Sequence, residues 1–363
     1  MQTSRTEMLT GDWKRSLANV FLELTSRCNM NCRFCPFPVL EREKADMPHD
    51  LVLKALNELK DLPCDLTFHC LGEPLLNEHF DEYCTICDEK NIHYWLVTNG
   101  LILNDERCNK LFSHKNLRSV EISLHTISDR SMRLRGVPIP FFRYLESIKK
   151  IVFNKKRLEA NIPIRLDVMY DKHLFSEILW RGFDIEEWMA FLDLMDKWRK
   201  ELDKCFPNAQ ELKPNFYASR KKIFMRESYY TVRRKELLPT NLFDDLPPHI
   251  KWLSWEMFPN VSVTLKKFFI FSPNKKYLKN TFKQNVIVKP ANNFLCDFAN
   301  SLVILSNGMI TFCCLDYEGK LSAGNIKHIH LKDAAYSKKR ALLLKSPDMF
   351  NYCCNCKGDI SVL

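Results

Sequence analysis

Three closely spaced cysteines are the residues of this chain best suited to carry chemistry. Cys28, Cys32 and Cys35 have the spacing C-x3-C-x2-C and follow an apolar run, Val20–Leu24, that predicts a strand. Thiolates are the preferred ligands of iron–sulfur clusters. Three of them on one tight loop can hold three irons of a cubane and leave the fourth iron open to a substrate or cofactor. Zinc binding and accidental spacing are the alternatives, since the chain has 15 cysteines.

The elements that must position this loop alternate between strand and helix patterns. Apolar runs predict five strands, at Val20–Leu24, Leu66–Cys70, Tyr94–Val97, Ser119–Leu124 and Ile162–Met169. Helical patterns lie between them, at Leu51–Leu59 with Asp50 as its cap, near Glu78–Lys90, and at Asp105–Phe112 and Phe142–Asn154. This alternation predicts an α/β fold, with a parallel sheet or barrel and helices outside it. Active sites of such barrels lie at the carboxyl ends of the strands.

Residues that could bind a ligand follow the successive strand ends. Gly72-Glu73-Pro74 comes after the second strand, Asn99-Gly100 after the third, and Ser123 with His125 after the fourth. Arg165 and Met169 alternate along the fifth strand, so that one face can look into the barrel. Each motif alone could be a turn or a helix cap. Their order behind the three-cysteine loop resembles the radical S-adenosylmethionine (SAM) superfamily, over roughly residues 18 to 171.

The resemblance implies a fold, a cofactor and a set of ligands. The fold is a partial (β/α)6 TIM-type barrel. The open iron of a 4Fe–4S cluster on Cys28, Cys32 and Cys35 chelates SAM, and one electron cleaves SAM to a 5′-deoxyadenosyl radical that takes a hydrogen atom from the substrate. Phe34 lies against the adenine, and Glu73 accepts a bond from the SAM amino group. The implied cofactor-binding residues are Phe34, Gly72, Glu73, Pro74, Asn99, Ser123, His125, Arg165 and Met169; no catalytic residue is indicated.

A second cysteine set lies near the end of the chain. Cys296 is followed by Gly308, then after four residues by Cys313, and Cys353-Cys354-Asn355-Cys356 comes later. This is similar to the C-terminal auxiliary-cluster extension of radical SAM enzymes, long (SPASM) or short (Twitch). Only seven residues follow Cys356, none of them cysteine, so we expect the short form, with one further 4Fe–4S cluster on Cys296, Cys313, Cys353 and Cys356. A structural zinc, or thiols that hold no metal, are the alternatives, and Cys314 or Cys354 could replace its neighbour.

Composition limits the class of protein and its compartment. The 363 residues suffice for one large domain or for one with a smaller companion, and 46% hydrophobic with 27% charged residues is typical of a soluble globular protein. The sequence shows neither a membrane-spanning run nor a signal peptide. The cysteine count favours a reducing cytosol, and hence a cytoplasmic location. We predict a lead-in over residues 1–19, the barrel over 20–217, a basic, aromatic-rich insertion over 218–290 and the auxiliary-cluster domain over 291–363.

The positive charge of the chain is concentrated in one segment. The net charge is +10, and residues 213–290 carry 16 basic and 5 acidic residues, a net of +11, which leaves the rest near neutral. The run Glu211–Tyr217 could be the sixth barrel strand, which makes Lys213 and Asn215 candidate substrate-binding residues. A basic segment of this kind favours an anionic substrate.

The reaction predicted from these features is a radical oxidation. A fully ligated second cluster cannot chelate substrate, so it should conduct electrons, which favours net oxidation of an anionic small molecule of sugar or nucleotide type. A ribosomally made peptide or a protein side chain is the alternative substrate, and a nucleic acid is the least favoured because no binding motif is visible. The expected partner is an electron donor such as flavodoxin or ferredoxin. No association with a membrane is expected. A non-catalytic iron–sulfur electron carrier is the alternative of another class.

Overall fold

The computed structural model describes residues 17–137, 139–170, 185–205, 213–217, 252–258, 260–267, 277, 286–290, 292, 296, 301–357 and 359–362. In chain order its strands and helices are β1 (Asn19–Leu22), α1 (His49–Leu59), β2 (Asp65–Phe68), α2 (Phe80–Glu89), β3 (Tyr94–Thr98), α3 (Asp105–Ser113), β4 (Leu117–Ile122), α4 (Asp129–Arg135), α5 (Phe141–Arg157), β5 (Ile164–Tyr170), α6 (Ile185–Cys205), β6 (Lys213–Tyr217), β7 (Trp252–Phe258), β8 (Val261–Lys267), β9 (Val286–Lys289), β10 (Ser301–Ile304), β11 (Met309–Thr311), β12 (Gly324–Asn325), α7 (Leu331–Ala335), α8 (Lys338–Lys345), α9 (Asn351–Lys357) and β13 (Asp359–Val362). The lead-in up to residue 16 and most of the predicted insertion, including the basic clusters at 220–222 and 233–235, lie outside these ranges.

The described residues fall into two compact units. The first contains the residues up to Thr98, His114–Arg118 and those from Ile270 onward, and the second contains Asn99–Ser113 and Ser119–Phe269. The predicted domain boundaries at 19, 217 and 290 are sequence ranges and remain predictions.

The first unit is built on a sheet whose centre is β1. This strand pairs in parallel with β2 on one side and with β10 on the other, and β2 pairs in parallel with β3. The strands β10, β11 and β12 then follow one another as antiparallel neighbours. The C-terminal cysteine region therefore continues the sheet that carries the three-cysteine loop. The strands β9 and β13 form a separate antiparallel pair.

Helices α1 and α2 lie in the connections after β1 and β2. Leu51, Val52, Ala55, Leu56 and Leu59 are the buried residues of α1, and they recur at the spacing of one helix face. The predicted cap Asp50 is instead in the first turn of α1, because the helix begins at His49 after Pro48. A carboxylate there still favours the helix, since it faces the positive end of the helix dipole. On α2, Cys84 and Cys87 are buried.

The second unit has the strand order β4, β5, β8, β7, β6. The strand that pairs in parallel with β5 is β8, whereas β7 is antiparallel to β8 and β6 is antiparallel to β7. Lys213–Tyr217 is thus a strand, as predicted, but the expectation that it is the sixth strand beside β5 is wrong. The alternating run Val261–Lys267 and the turn-forming residue type of Asn260 were the overlooked sequence signals of a hairpin. In the structure Asn260 is in the left-handed region, with φ 61°.

Parallel pairing with intervening helices confirms the α/β class. Among the helices that the structure describes, none combines the length and apolar character needed to cross a lipid bilayer.

Candidate functional site

The three predicted cluster cysteines lie on the connection that leaves β1. Cys32 is buried, whereas Cys28 and Cys35 are partly exposed. The backbone N–H of Met30 donates to Sγ of Cys28 at 3.4 Å, and that of Phe37 donates to Sγ of Cys35 at 3.5 Å. Amide donors of this kind stabilise thiolates and are a feature of iron–sulfur sites. The donor chemistry of the loop therefore fits a cluster held by thiolates.

Gly72 packs against the backbone that leads into this loop. Its φ is +81°, and a Cβ at this position would lie 2.8 Å from the carbonyl oxygen of Arg27 and still closer to that of Thr25. The N–H of Glu73 donates to the same Arg27 carbonyl at 2.8 Å. We expected the glycine to let the backbone approach a ligand. In the structure the close neighbour is the loop backbone, so Gly72 fixes the Gly-Glu-Pro turn to the cysteine loop.

Glu73 is a buried carboxylate held in one orientation. It is 1% exposed, and its Oε1 accepts from the Thr98 hydroxyl at 2.7 Å and from the N–H of Leu75 at 3.3 Å. Pro74 begins a short 3₁₀ helix for which Glu73 is the N-cap. Sequence analysis gave Thr98 no role of its own, although a hydroxyl at the end of β3, directly before Asn99, was the available signal. A buried, oriented carboxylate is suited to a charge-assisted bond with an ammonium group.

Phe34 is buried beside the cysteine loop. It is 6% exposed, and its carbonyl oxygen accepts from the hydroxyl of the buried Tyr277 at 2.8 Å. Tyr277 thereby anchors the backbone just before Cys35.

The turn that follows β11 carries Cys313 of the second predicted cysteine set. The N–H of Leu315 donates to Sγ of Cys313 at 3.4 Å. The carbonyl of Leu315 accepts from the hydroxyl of Tyr352 at 2.6 Å, and Tyr352 lies on α9 next to Cys353. This pair of bonds brings the Cys313 turn to the helix that carries Cys353. The side chain of Cys356 lies outside the described residues.

Two hydrogen bonds bear on which neighbouring cysteines could be ligands. The thiol of Cys354 donates to the carbonyl of Asp348 at 3.0 Å. The hydrogen bond with Cys313, followed by burial, raises the pKa of Cys314, and the same bond lowers the pKa of Cys313. The thiol donation by Cys354 favours Cys353 over Cys354 as a ligand, and the choice of Cys313 with Cys353 remains a prediction. Cys296 is close enough to Cys314 to contribute to its raised pKa.

Cys70 and Tyr317 border this second set and were not predicted. Cys70, two residues before Gly72, directs its thiol at the Cys314 carbonyl at 3.6 Å, and burial raises its pKa. Burial also raises the pKa of Tyr317, with further contributions from Cys70, Cys314 and Cys35. One buried tyrosine therefore lies near Cys35 of the first set and near Cys314, the neighbour of Cys313.

A buried ion pair joins the two cysteine regions. Oε1 of Glu23 accepts from Arg42 Nη2 at 2.6 Å and from the N–H of Leu71 at 3.2 Å, while Oε2 accepts from the N–H of Ser306 at 2.7 Å. Burial raises the pKa of Glu23, and the positive charge of Arg42 opposes this rise. Glu23 thus contacts the segment before Gly-Glu-Pro and the turn after β10.

Arg42 lies after the cysteine loop and adds further bonds between this loop and the region of the second cysteine set. Its Nε donates to the carbonyl of Tyr317 at 2.6 Å, and its Nη1 donates to the Ser306 hydroxyl at 2.8 Å. The carboxylate of Glu318 accepts from the backbone N–H of Glu41 at 2.9 Å and of Arg42 at 3.3 Å. The exit of the cysteine loop is therefore bonded to the strands and turns that carry the second set.

The remaining predicted cofactor residues lie in the second unit. Asn99 Oδ1 accepts from the N–H of Leu101 at 3.0 Å, as in a turn. The carbonyls of Asn99 and Ser123 both accept from the hydroxyl of Tyr144, at 2.7 and 3.1 Å. His125 has φ 53°, and its N–H donates to the carbonyl of Asp167 at 2.7 Å.

Arg165 lies between two carboxylates in the same unit. It forms an ion pair with Glu121, and its Nε donates to Asp167 Oδ1 at 2.8 Å. Met169, two residues beyond Asp167, is 1% exposed. The side chains of Lys213 and Asn215 on β6 lie outside the described residues. The ligand-binding roles of all these residues remain predictions.

Two family models match the chain. One, described as the radical SAM superfamily, matches residues 22–163, and the other, described as an iron–sulfur cluster-binding domain (SPASM), matches residues 296–357. The first range contains the three-cysteine loop and the Gly-Glu-Pro turn. The second contains all four cysteines of the predicted second set.

Similar proteins of known activity match parts of the chain. The tungsten-containing aldehyde ferredoxin oxidoreductase cofactor-modifying protein of Pyrococcus furiosus is 33% identical over 162 residues, which cover 44% of this chain and 45% of that protein. A PqqA peptide cyclase of Bradyrhizobium diazoefficiens is 22% identical over 235 residues, 60% of each chain. The match therefore spans about half to three fifths of the length of these relatives.

A solved structure shares the fold. SuiB of Streptococcus suis, bound to S-adenosylmethionine, superposes with a TM-score of 0.51 at 14% identity, over 94% of this chain and 72% of that one. At this identity the likeness concerns the fold alone. The α/β fold with a parallel sheet is thereby confirmed, and the C-terminal cluster-binding domain rests on the family model over residues 296–357.

Proposed function

We propose, for a chain that belongs to the radical SAM superfamily, that its activity is a SAM-dependent oxidation that begins with removal of a hydrogen atom from the substrate. The two matched domains imply SAM and two 4Fe–4S clusters as cofactors. When bound and reduced, the cluster with SAM supplies a 5′-deoxyadenosyl radical, which removes the hydrogen atom from an unactivated C–H bond.

The residues of the first unit have separable tasks in this proposal. Cys28, Cys32 and Cys35 would hold the first cluster, with two of the three sulfurs stabilised by backbone N–H donors. Glu73, held by Thr98, would accept a hydrogen bond from the SAM ammonium group. Cys296, Cys313, Cys353 and Cys356 would hold the second cluster.

The observation that carries the oxidative part of the proposal is the joining of both cysteine regions within one compact unit. Arg42 and Glu23 bond the exit of the first loop to the turn after β10, and Tyr317 lies near Cys35 of the first set and near Cys314, the neighbour of Cys313. A second cluster with four thiolate ligands has no open coordination position for substrate. Its position in the same unit therefore suits removal of an electron from the substrate radical.

The substrate that we propose is an anionic small molecule of sugar or nucleotide type. The support is the net charge of +11 on residues 213–290, since a positive surface attracts anions. A peptide is the second candidate, and the match to a PqqA peptide cyclase favours it. We also propose a reducing, cytoplasmic compartment, in which the thiolate ligands stay reduced, and a flavodoxin or ferredoxin as electron donor.

The experiment that tests this function is anaerobic turnover of the reconstituted protein with SAM and a chemical reductant. Formation of 5′-deoxyadenosine is expected for an enzyme, and its complete absence with both clusters loaded would favour an electron carrier. Nucleotide sugars, sugar phosphates and acidic peptides are then added in parallel. An oxidised product two hydrogens lighter than its substrate identifies the class. Acceleration only by peptides would overturn the small-molecule proposal.

A further inference from the structure

We propose that His49, His79 and Glu82, here called the histidine cluster, form a binding site for one divalent transition-metal ion, with Zn²⁺ as the best match. The three side chains each offer a ligand atom, and these atoms all lie within 4.8 Å of one another. Neither the predicted clusters nor the SAM-binding residues include any of them. Two imidazoles and one carboxylate are a ligand set suited to zinc and its neighbours in the first transition row.

The distances within the histidine cluster match the size of such an ion. Nε2 of His49 lies 3.6 Å from Glu82 Oε1, and Nδ1 of His79 lies 3.0 Å from Glu82 Oε2. Ligands about 2.0–2.2 Å from a tetrahedral zinc are roughly 3.3–3.5 Å from one another. These two separations bracket that value, and all three ligand atoms lie within 4.8 Å of one another, so closing the set around an ion requires the side chains to move closer together.

A supporting hydrogen bond points the same way. Nδ1 of His49 lies 3.0 Å from the hydroxyl of Tyr83. When Nδ1–H donates to the tyrosine oxygen, Nε2 carries the lone pair that a metal requires. Metal-binding histidines are typically held in this way through their other nitrogen. For His79, Nε2 lies 3.7 Å from a second carboxylate, that of Glu78.

The local charge also favours a cation. His49 is the first residue of α1 and His79 directly precedes α2, so two helix dipoles place partial positive charge nearby. Acidic residues in the first turns of both helices oppose this effect: Asp50, Asp81 and Glu82. With Glu78 beside His79, the carboxylates outweigh the dipoles.

A metal bound here would hold together the starts of two helices. The connection before α1 carries the three cluster cysteines, and the connection before α2 carries Gly72 and Glu73. The ion would therefore link the ends of the two loops that we assign to the first cluster and to SAM.

The test is zinc uptake by the protein with both iron–sulfur clusters already reconstituted. Equilibrium dialysis against micromolar Zn²⁺, followed by metal analysis, should show one zinc per chain with no loss of iron. X-ray absorption at the zinc edge should show nitrogen and oxygen ligands without sulfur. His49→Gln and His79→Gln should each weaken zinc affinity by more than tenfold, and Tyr83→Phe by roughly 10- to 100-fold, the range found for supporting partners.

The matched control is His330→Gln. Nδ1 of His330 lies 2.9 Å from Glu58 Oε1, so this is another exposed histidine–carboxylate pair of the same unit but with one imidazole only. Its removal should leave zinc uptake unchanged. The proposal is overturned if the wild type retains no zinc above the His49→Gln/His79→Gln double variant, or if the absorption spectrum shows sulfur ligands, which would place the zinc on cysteines.

Discussion

Arg42 and Glu23 form an ion pair of 2.6 Å in which the side chains are 8% and 0% exposed. The pair links the exit of the three-cysteine loop to the end of β1. Glu23 also accepts from the backbone N–H groups of Leu71 and Ser306, and Arg42 donates to the backbone carbonyl of Tyr317. A buried pair contributes little net stability relative to an apolar pair, but loss of one partner leaves an uncompensated buried charge. The relationship therefore makes the cysteine regions sensitive to single changes at either residue.

Arg42→Met should destabilise the protein by about 3–5 kcal/mol, because Glu23 would keep its charge without a partner or take up a proton. The Glu23→Gln/Arg42→Met double variant should be less destabilised than Arg42→Met alone. Chemical unfolding of the cluster-loaded proteins under anaerobic conditions measures both quantities.

The control for this prediction is the ion pair of Arg27 and Asp46. Its side chains are 49% and 34% exposed, in the same connection after β1. Arg27→Met should cost only about 0–1 kcal/mol, as expected for an exposed pair. Equal losses of unfolding free energy in Arg42→Met and Arg27→Met would contradict this prediction, because the buried pair would then matter no more than the exposed one.

Gly72→Ala should destabilise the Gly-Glu-Pro turn and weaken SAM binding. The left-handed φ alone costs an alanine roughly 1–2 kcal/mol, and its Cβ would collide with the carbonyl oxygens of Thr25 and Arg27, which are backbone atoms. Thermal unfolding and SAM affinity are the measurements, with iron content as the check on the cluster.

Gly319→Ala is the matched control for the steric part. Gly319 also has a left-handed φ, +71°, but a Cβ there would meet only the side chain of Met309. A methionine side chain can move away, so this variant should lose less stability than Gly72→Ala. If both variants lose the same amount, the collision with the loop backbone has no effect beyond the φ preference.

Iron content should separate the two predicted clusters. The reconstituted protein should hold about eight irons, from two cubanes of four. A variant with Cys28, Cys32 and Cys35 all changed to Ala should retain about four, because the second set is intact. A value near zero for this variant would contradict a second site that assembles independently.

The choice between neighbouring cysteines can be tested in the same way. Cys353→Ala should lower the iron content toward four, whereas Cys354→Ala should keep it near eight. The reason is that the Cys354 thiol donates to the Asp348 carbonyl at 3.0 Å. The reverse result would move the ligand register by one residue.

Local sequence patterns predicted the first part of the fold well, because each strand and helix there is a separate periodic run. The strands β1 to β5 and the helices α1, α2, α3 and α5 lie where apolar spacing indicated, within a few residues. The position of β8 was missed because strand pairing depends on contacts distant in sequence. The pairing of β10 with β1 could likewise not be predicted from the sequence, since no local feature of Ser301–Ile304 specifies a partner strand.

Motif order predicted which residues to examine at the site, but not how they are held. Neither the role of Thr98 beneath Glu73 nor that of Arg42 beside Glu23 follows from a motif, and each role is identified only by a bond between distant residues. For Gly72 the structure adds a reason that the motif did not give, because a Cβ there would collide with the carbonyls of Thr25 and Arg27; the predicted approach to a ligand remains a prediction.

The basic segment should determine how the substrate binds. Changing Arg220, Lys221 and Lys222 together to Ser should lower substrate-stimulated turnover and weaken its salt dependence, because exposed charges are screened over roughly 8–10 Å at moderate ionic strength. SAM cleavage without substrate should be unaffected, which is the internal control. The same change at Arg233, Arg234 and Lys235 gives a second, independent variant. Turnover equal to that of the parent in both variants would mean that this charge supports solubility only.

Glu73→Ala should weaken SAM binding while the cluster stays intact. A buried carboxylate that accepts a charge-assisted bond contributes on the order of 1.5–3 kcal/mol, which corresponds to roughly a ten- to hundredfold loss of affinity. Isothermal titration of the cluster-loaded protein with SAM measures this loss, and iron analysis shows whether the cluster remains. Glu89→Ala, at an exposed glutamate of α2, is the matched control and should bind SAM like the parent.

Thr98→Val should have the same effect on SAM binding to a smaller degree. The valine keeps the shape of the threonine but removes the hydroxyl that donates to Glu73 Oε1 at 2.7 Å, so the carboxylate is less firmly oriented. A neutral hydrogen bond contributes about 0.5–1.5 kcal/mol, so a loss of roughly two- to twelvefold in SAM affinity is expected. In the Glu73→Ala background the Thr98→Val change should add almost nothing, because its partner is already gone. If the two losses of affinity are fully additive, Thr98 acts on SAM by another route. If neither single variant changes the SAM affinity, the Gly-Glu-Pro stretch is only a turn and does not bind SAM.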